Sequence, residues 1–317
     1  MTMGRRILVI SDLHLGRGGD DVPKALTPVF AETDELIVNG DLAELHLPRH
    51  RDAALRGLEA MRARADATGV RLTLVAGNHD PGISPNRCLF LADGKVFLTH
   101  GDVVHPSLAP WSPAAAMLQE EYIRNLEAIP LPERGRLDSV LAASRDAAAR
   151  EWNDPKALRR SGQPLRLLGR PLALMRIALF WREYPGLVAD FALRHAPAAE
   201  FVLVGHSHRP GAWRLGNRTI LNTGSFKVPH RPHVAIIEDR AISLRRIAFR
   251  DRFYELAPPR SEWCWELPRV GASSTGAQVA ARTREGNPRP RHDASPREAL
   301  ATPAASTPVA IRLRSQR

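Results

Sequence analysis

The tetrapeptide Gly77-Asn78-His79-Asp80 constrains this chain more than any other stretch. It follows Leu72-Thr73-Leu74-Val75, an apolar run of the length expected for a buried strand. Gly77 breaks the strand and lets the chain turn tightly. A carboxamide, an imidazole and a carboxylate are then displayed at the strand's C-terminal end, where open α/β sheets gather their chemistry. Taken alone, the stretch reads equally well as a polar turn. The constraint comes from repetition.

Four other segments repeat the same grammar of apolar strand, sharp turn and ligand-type side chains. Ile7–Ile10 runs into Asp12-Leu13-His14, and residues 36–38 run into Asn39-Gly40-Asp41. Val96–Thr99 ends in His100-Gly101-Asp102, and Phe201–Val204 in Gly205-His206-Ser207-His208. Mixed oxygen and nitrogen donors suit Mn, Fe or Zn. A carboxylate with two oxygens can bridge two ions, so Asp41 is a candidate bridge; capping the following turn is its alternative role. Together the loops offer Asp12, His14, Asp41, Asn78, His100, His206 and His208. Parallel strands would bring these loops to one sheet edge. Five coincidental capping turns of this composition explain the pattern poorly.

Further strands are expected at 219–221, before Asn222-Thr223-Gly224-Ser225, and at 234–238 and 242–247 around an Asp239-Arg240 turn. A helix is expected over 49–68, with Ala54, Leu55, Leu58 and Met61 on its buried side. Residues 103–200 lack the strand-plus-ligand signal. Their pattern is helical, with one stripe at Leu118, Tyr122, Ile123 and Leu126 and another beginning Leu137, Val140, Leu141. Their most apolar run, 165–181, contains Arg166, Arg170, Pro171 and Arg176, which argue against a membrane span. It reads as the core of a helical subdomain, or as a surface for a lipid tail or membrane. The organisation expected is a body formed by 1–102 and 201–257, a helical insertion or lid at 103–200, and a basic tail at 258–317.

Of the formal net charge of +11, residues 258–317 contribute +5, from ten Arg against five acids. Such a balance permits contact with nucleic acid, an anionic membrane or a phosphorylated substrate, without selecting among them. No platform of interleaved aromatic and basic residues for stacking bases is evident. Trp263 and Trp265 are candidates to dock on the body, and 271–317 reads as disordered. Two distant cysteines, Cys88 and Cys264, argue against a disulfide framework. The first apolar run is too short for a signal-peptide core, so a cytoplasmic location is expected.

In the order Asp12-x-His14, Gly40-Asp41, Gly77-Asn78-His79-Asp80, His100-Gly101-Asp102 and Gly205-His206-x-His208, the chain resembles the calcineurin-like metallophosphoesterase superfamily. The resemblance implies an α/β fold, a four-layer sandwich of two mixed β-sheets flanked by helices. It implies one divalent ion held by Asp12, His14, Asp41 and His208, and a second held by Asp41, Asn78, His100 and His206. Manganese is the first choice, with Fe or Zn also accommodated. His79 would be the catalytic histidine near the leaving group, with Asp80 or another acid orienting its ring. The implied activity is phosphoester hydrolysis by in-line attack of a hydroxide bridging the ions. Arg209 would bind a phosphoryl oxygen or pair with an acid, and Asn222 would orient a group behind the ligands.

Within the superfamily, the nearest-looking branch contains UDP-2,3-diacylglucosamine hydrolases, which implies a lipid-linked nucleotide substrate. The chain departs from that branch in two places. His79 stands where Arg is typical, and Leu221-Asn222-Thr223-Gly224-Ser225-Phe226 looks like the general phosphoesterases. A non-catalytic scaffold is a further possibility within the superfamily, although here every ligand position is filled.

Overall fold

The computed structural model describes residues 5–17, 21–153, 171–227, 231–258 and 263–267. The expectation for the tail beyond residue 267, and that for 165–170, lie outside them.

Two sheets form the centre. The first contains β1 (Ile7–Ile10), β2 (Glu35–Asn39) and β3 (Arg71–Val75), parallel to one another. It continues through the antiparallel strands β9 (His233–Glu238), β10 (Ala241–Arg250) and β11 (Phe253–Leu256). Its path is β11-β10-β9-β1-β2-β3, and β12 (Trp263–Glu266) also pairs with β10. The second sheet contains β4 (Cys88–Leu91), β5 (Val96–Thr99), β6 (Phe201–Val204), β7 (Gly211–Leu215) and β8 (Arg218–Asn222), ordered β4-β5-β6-β8-β7. Here β5, β6 and β8 are parallel, with antiparallel strands at both edges. Both sheets are therefore mixed.

Alternation along the strands builds the layers. Val9, Ile37 and Val75 of the first sheet join Val96, Leu98, Phe201, Leu203 and Leu221 of the second in one buried cluster between the sheets. Their neighbours Leu8, Ile10, Leu36 and Val38 face the other way, toward Leu26, Phe30, Ala54, Leu58 and Met61. That outer layer is α1 (Val22–Ala25), α2 (Thr27–Ala31) and α3 (Pro48–Thr68). On the far side Phe97, Val202, Val204 and Ile220 meet α5 (Leu137–Asn153) and α6 (Pro171–His195) through Val140, Phe180, Tyr184 and Val188. A shorter α4 (Ala115–Glu127) packs its Leu118 with Ala147 and Ala148 of α5. The order helices, sheet, sheet, helices is the four-layer architecture.

Four expectations need correction. Leu72–Val75 is not a fully buried strand: β3 lies at the sheet's edge, and of its residues only Val75 is buried. Leu55 is 42% exposed, because the buried stripe of α3 is Ala54, Leu58, Met61 and Ala65, at helical spacing. Ile123 is also exposed, while Leu118 of the same helix is buried. The run ending at Trp181 is not uniformly core. In α6, Leu174, Met175 and Leu179 are exposed, and burial begins at Phe180. Among the described residues no helix is long and apolar enough to cross a membrane.

Candidate metal centre

The loops that follow β1, β2, β3, β5 and β6 meet at one edge of the sandwich. Asp12, His14, Asp41, Asn78, His100 and His206 are all buried there, and His208 is partly buried. Five of these residues hold a left-handed backbone: Asp12 (φ 55°), His14 (52°), Asp41 (53°), His206 (64°) and His208 (56°). Each such conformation costs a non-glycine residue about 1 kcal/mol or more, and clustering of this kind marks functional loops. Gly77 does not use that region. Its requirement is space: a Cβ there would lie 2.2 Å from Asp41 Oδ1 and 2.5 Å from Asp41 N.

The donors converge in two groups. His14 Nε2 and His208 Nε2 are 3.2 Å apart, and Asp12 Oδ1 is 3.1 Å from His208 Nε2 and 3.9 Å from His14 Nε2. Asp41 Oδ2 lies 3.4 Å from His100 Nε2, 3.8 Å from His14 Nε2 and 3.9 Å from His79 Nε2. Asp12, Asp41 and His100 also offer atoms within 4.8 Å of one another. His79 falls within the same reach of His14 and Asp41, so proximity alone does not separate it from the ligand candidates.

Hydrogen bonds commit one ring nitrogen of four of the histidines and leave the other available. His14 Nδ1 bonds Glu44 Oε1 at 2.9 Å, and His100 Nδ1 donates to the Asn39 carbonyl at 2.9 Å. His79 Nδ1 bonds Glu44 Oε2 at 3.0 Å, and His206 Nε2 donates to the Leu108 carbonyl at 2.7 Å. Such partners fix the tautomer and aim the remaining nitrogen, as they do in metal sites. His206 consequently presents only Nδ1 inward, with its ring centroid 5.2 Å from that of His100. Asp12 Oδ1, Asn78 Oδ1 and His100 Nε2 are buried without a hydrogen-bond partner. Buried orphans are costly, and a cation supplies what these three atoms lack. The residues present thus fit divalent ions.

The electrostatics agree. Burial opposes ionisation of Asp12, but His208 and His100 outweigh it and bring its carboxyl down to about 2. Asp41 is held well below the usual range, against burial, chiefly by His100 and His79. Burial likewise opposes a charge on His100, yet Asp41 and Asp12 push it up to about 10. His14 is lowered to about 3 by burial and by Lys227, and His206 to about 4 by burial and by His100. His14 and His206 are therefore neutral, ligand-ready imidazoles at physiological pH.

Asp80 does not touch the His79 ring. Its carboxylate accepts backbone N–H groups of Asp41, Leu42, Ala43 and Gly77, fastening the Gly40-Asp41 turn to the Gly77–Asp80 turn. The acid on His79 is Glu44, wholly buried, which holds His14 with its other oxygen. Burial opposes protonation of His79, and the Glu44 and Asp41 carboxylates outweigh it, raising this imidazole above its ordinary value. Arg17, Lys227 and His46 also face Glu44. None of these residues belongs to a motif that the sequence displays. The available signal was an acid three positions after Asp41.

The helical segment reaches the same loops. Trp152 Nε1 donates to the Asn78 carbonyl at 2.8 Å, and its indole stacks on His46. Trp181 Nε1 donates to the Ser207 carbonyl, between His206 and His208. Tyr184 donates to the Gly205 carbonyl. Asn222 Nδ2 donates to Gly205 O at 2.7 Å and Ser207 Oγ at 3.0 Å, so it secures the turn carrying both histidines. Arg209 donates to the Trp181 carbonyl and lies over the Trp213 ring.

A sandwich of two mixed sheets with this donor set at one edge defines a metallophosphoesterase-type protein. A family model described as calcineurin-like phosphoesterase matches residues 5–210, and the chain belongs to that family. Among solved structures, a predicted phosphoesterase from Streptococcus pneumoniae is similar at 15% identity and a TM-score of 0.40, covering 84% of this chain and 99% of that one. A dimetal phosphatase from Danio rerio is similar at 15% identity and a TM-score of 0.42, covering 81% and 98%. Vps29 from Chaetomium thermophilum is similar at 12% identity and a TM-score of 0.43, covering 83% and 100%. A comparison with curated proteins gives no match.

Proposed function

We propose that the protein is a metal-dependent hydrolase of phosphoesters. The observation that carries this reading is the convergence of Asp12, His14, Asp41, His100 and His208, with buried atoms left unpartnered among them. Asp12, His14, Asp41 and His208 would hold one divalent ion, and Asp41, Asn78, His100 and His206 another. When bound, such a pair neutralises phosphoryl charge and lowers the pKa of coordinated water toward neutrality. Manganese is the ion we assign first, since carboxylate and carboxamide oxygens suit it, with Fe or Zn accommodated by the imidazoles.

The chain's own contribution is orientation and proton management. Glu44 aligns His14 and His79 with its two oxygens. His79, one-fifth exposed, keeps a proton on Nδ1 and turns Nε2 toward the reacting side. In the protonated form it protonates the departing alkoxide. Asp80 locks the two turns that carry Asp41 and His79. Residues 103–200 act as a lid, supported by the Trp152, Trp181 and Tyr184 bonds to the ligand-bearing loops. A cytoplasmic location agrees with a chain that carries only two cysteines, Cys88 and Cys264, far apart in sequence.

A second reading, an acylated UDP-sugar as substrate, is favoured by one observation. Leu174, Met175 and Leu179 form an exposed apolar stripe within the two turns before Trp181, which bonds the His206–His208 turn. The test for both readings is manganese-loaded protein against phosphomonoesters, phosphodiesters, nucleotides, UDP-lipids and single-stranded DNA. Turnover of at least one phosphoester is expected. Hydrolysis confined to the acylated UDP-sugar would promote the second reading. Stoichiometric metal binding with no turnover of any member would leave a scaffold and end the hydrolase proposal.

A further inference from the structure

Glu44 is faced by more positive charge than one carboxylate balances. Arg17 Nε lies 2.7 Å and Lys227 Nζ 3.5 Å from the same oxygen, Oε1. Glu44 itself is shielded from solvent, whereas the side chains of Arg17 and Lys227 remain 24% and 25% exposed. One cation would suffice to neutralise a buried carboxylate. Two leave a surplus of one charge, facing outward. Among the described residues, the Arg17 guanidinium Nη groups and the remaining Lys227 ammonium donors bond no partner.

Both cations are tied to the Asp12–His14 loop. Arg17 N donates to the His14 carbonyl at 3.2 Å. Lys227 N donates to Ser225 Oγ, Ser225 Oγ donates to the Asp12 carbonyl at 3.0 Å, and Phe226 N donates to the same carbonyl at 3.2 Å. A guanidinium fork and an ammonium point charge side by side, with free donors, match the oxygens of a phosphate.

Building on the hydrolase reading, we infer that Arg17 and Lys227 form a second anion subsite. The substrate then carries a second phosphate beside the scissile phosphoryl group, as in a phosphoanhydride or a neighbouring bisphosphate. The two residues determine specificity and take no part in bond cleavage.

The test uses the full-length, manganese-loaded chain and calorimetry with methylenediphosphonate and inorganic phosphate. Metal chelation contributes alike to every protein variant, so the ratio of the two affinities is the readout. Arg17→Met and Lys227→Met keep an apolar stem and remove the charge. Each should lower the preference for diphosphonate by roughly ten- to a hundredfold, the scale of a charge-assisted hydrogen bond, with phosphate affinity unchanged. An unchanged ratio, or equal loss for both ligands, would overturn the inference. Should a variant fail to fold, amine modification of the parent protein gives the same answer. Methylenediphosphonate should protect Lys227 from labelling where equimolar phosphate does not, and equal protection refutes the subsite. Turnover is scored separately. A protein that hydrolyses nothing yet keeps the Arg17- and Lys227-dependent preference defeats only the hydrolase reading. One that hydrolyses phosphoesters with a ratio unmoved by either variant defeats only the subsite.

Discussion

A histidine that protonates a leaving alkoxide must still hold its proton at working pH. Burial works against this at His79, and Glu44 and Asp41 reverse it, so its imidazole sits above the ordinary value. His79→Ala should retain two equivalents of manganese and lose roughly 10²-fold or more in turnover, the scale of lost acid catalysis. Metal analysis paired with kcat checks both halves, and parental activity in the variant would refute the assignment. Glu44→Gln tests the cause of the shift. The carboxylate stabilises the imidazolium, so removing its charge lowers the His79 pKa, and the basic limb of the activity profile should move to lower pH. The same variant loosens His14, so the profile is taken at saturating manganese. A basic limb that stays in place would show that Glu44 does not set the proton on His79. Locally, Asp41-Leu42-Ala43-Glu44 offers only an acid three positions after Asp41, which does not by itself announce this role. It arises from Arg17, His79 and Lys227, brought together from distant parts of the chain.

At the scale of elements, the site consists of strand ends that must approach one another closely. A Cβ at Gly205 would lie 2.3 Å from Asp12 Oδ2, as one at Gly77 would crowd Asp41. Gly77→Ala should therefore cost manganese affinity roughly 10–100-fold, the effect of displacing a ligand's support. Gly82→Ala, with nothing within 4 Å of the added carbon, is the silent control. Equal metal retention after dialysis in the two variants would refute the close-approach argument. The strands that carry the site were the legible ones. β1, β5 and β6 are nearly or wholly buried and read directly as apolar runs at their observed bounds. By contrast β4, β7 and β11 lie at sheet edges, are half exposed, and show no clean period. The parallel ladders explain why locally modest motifs combine: pairing β1 to β2 to β3, and β5 to β6 to β8, sends successive loops to one edge. What stayed illegible was the tie from the helical segment. Trp152 and Trp181 look like ordinary core aromatics in sequence, yet each spends its indole N–H on a carbonyl of a loop that carries candidate ligands.

At the scale of the whole molecule, two sheets bring two buried carboxylates, Asp12 and Asp41, beside a cluster of buried imidazoles. Their mutual repulsion is offset in the ion-free protein by a proton on His100, whose value of about 10 lies well above neutrality. A cation approaching Asp41 competes for the same His100 Nε2 lone pair, so the proton must leave. His14 and His206, lowered to about 3 and about 4, are already neutral at pH 7 and have none to release. The sign follows: manganese affinity should rise with pH between 6 and 9, by roughly tenfold per unit for each proton displaced. Calorimetric titrations at pH 7, in buffers of different ionisation enthalpy, should count about one proton released per protein. His100→Gln should abolish the release and flatten the pH dependence. Manganese that binds the folded chain should stabilise it along the same curve, with Tm raised more at pH 8.5 than at pH 6.5 at equal free metal. Zero protons released by the parent protein, or the same release from His100→Gln, would mean that another group balances Asp12 and Asp41, and the ligand set at this edge would have to be redrawn.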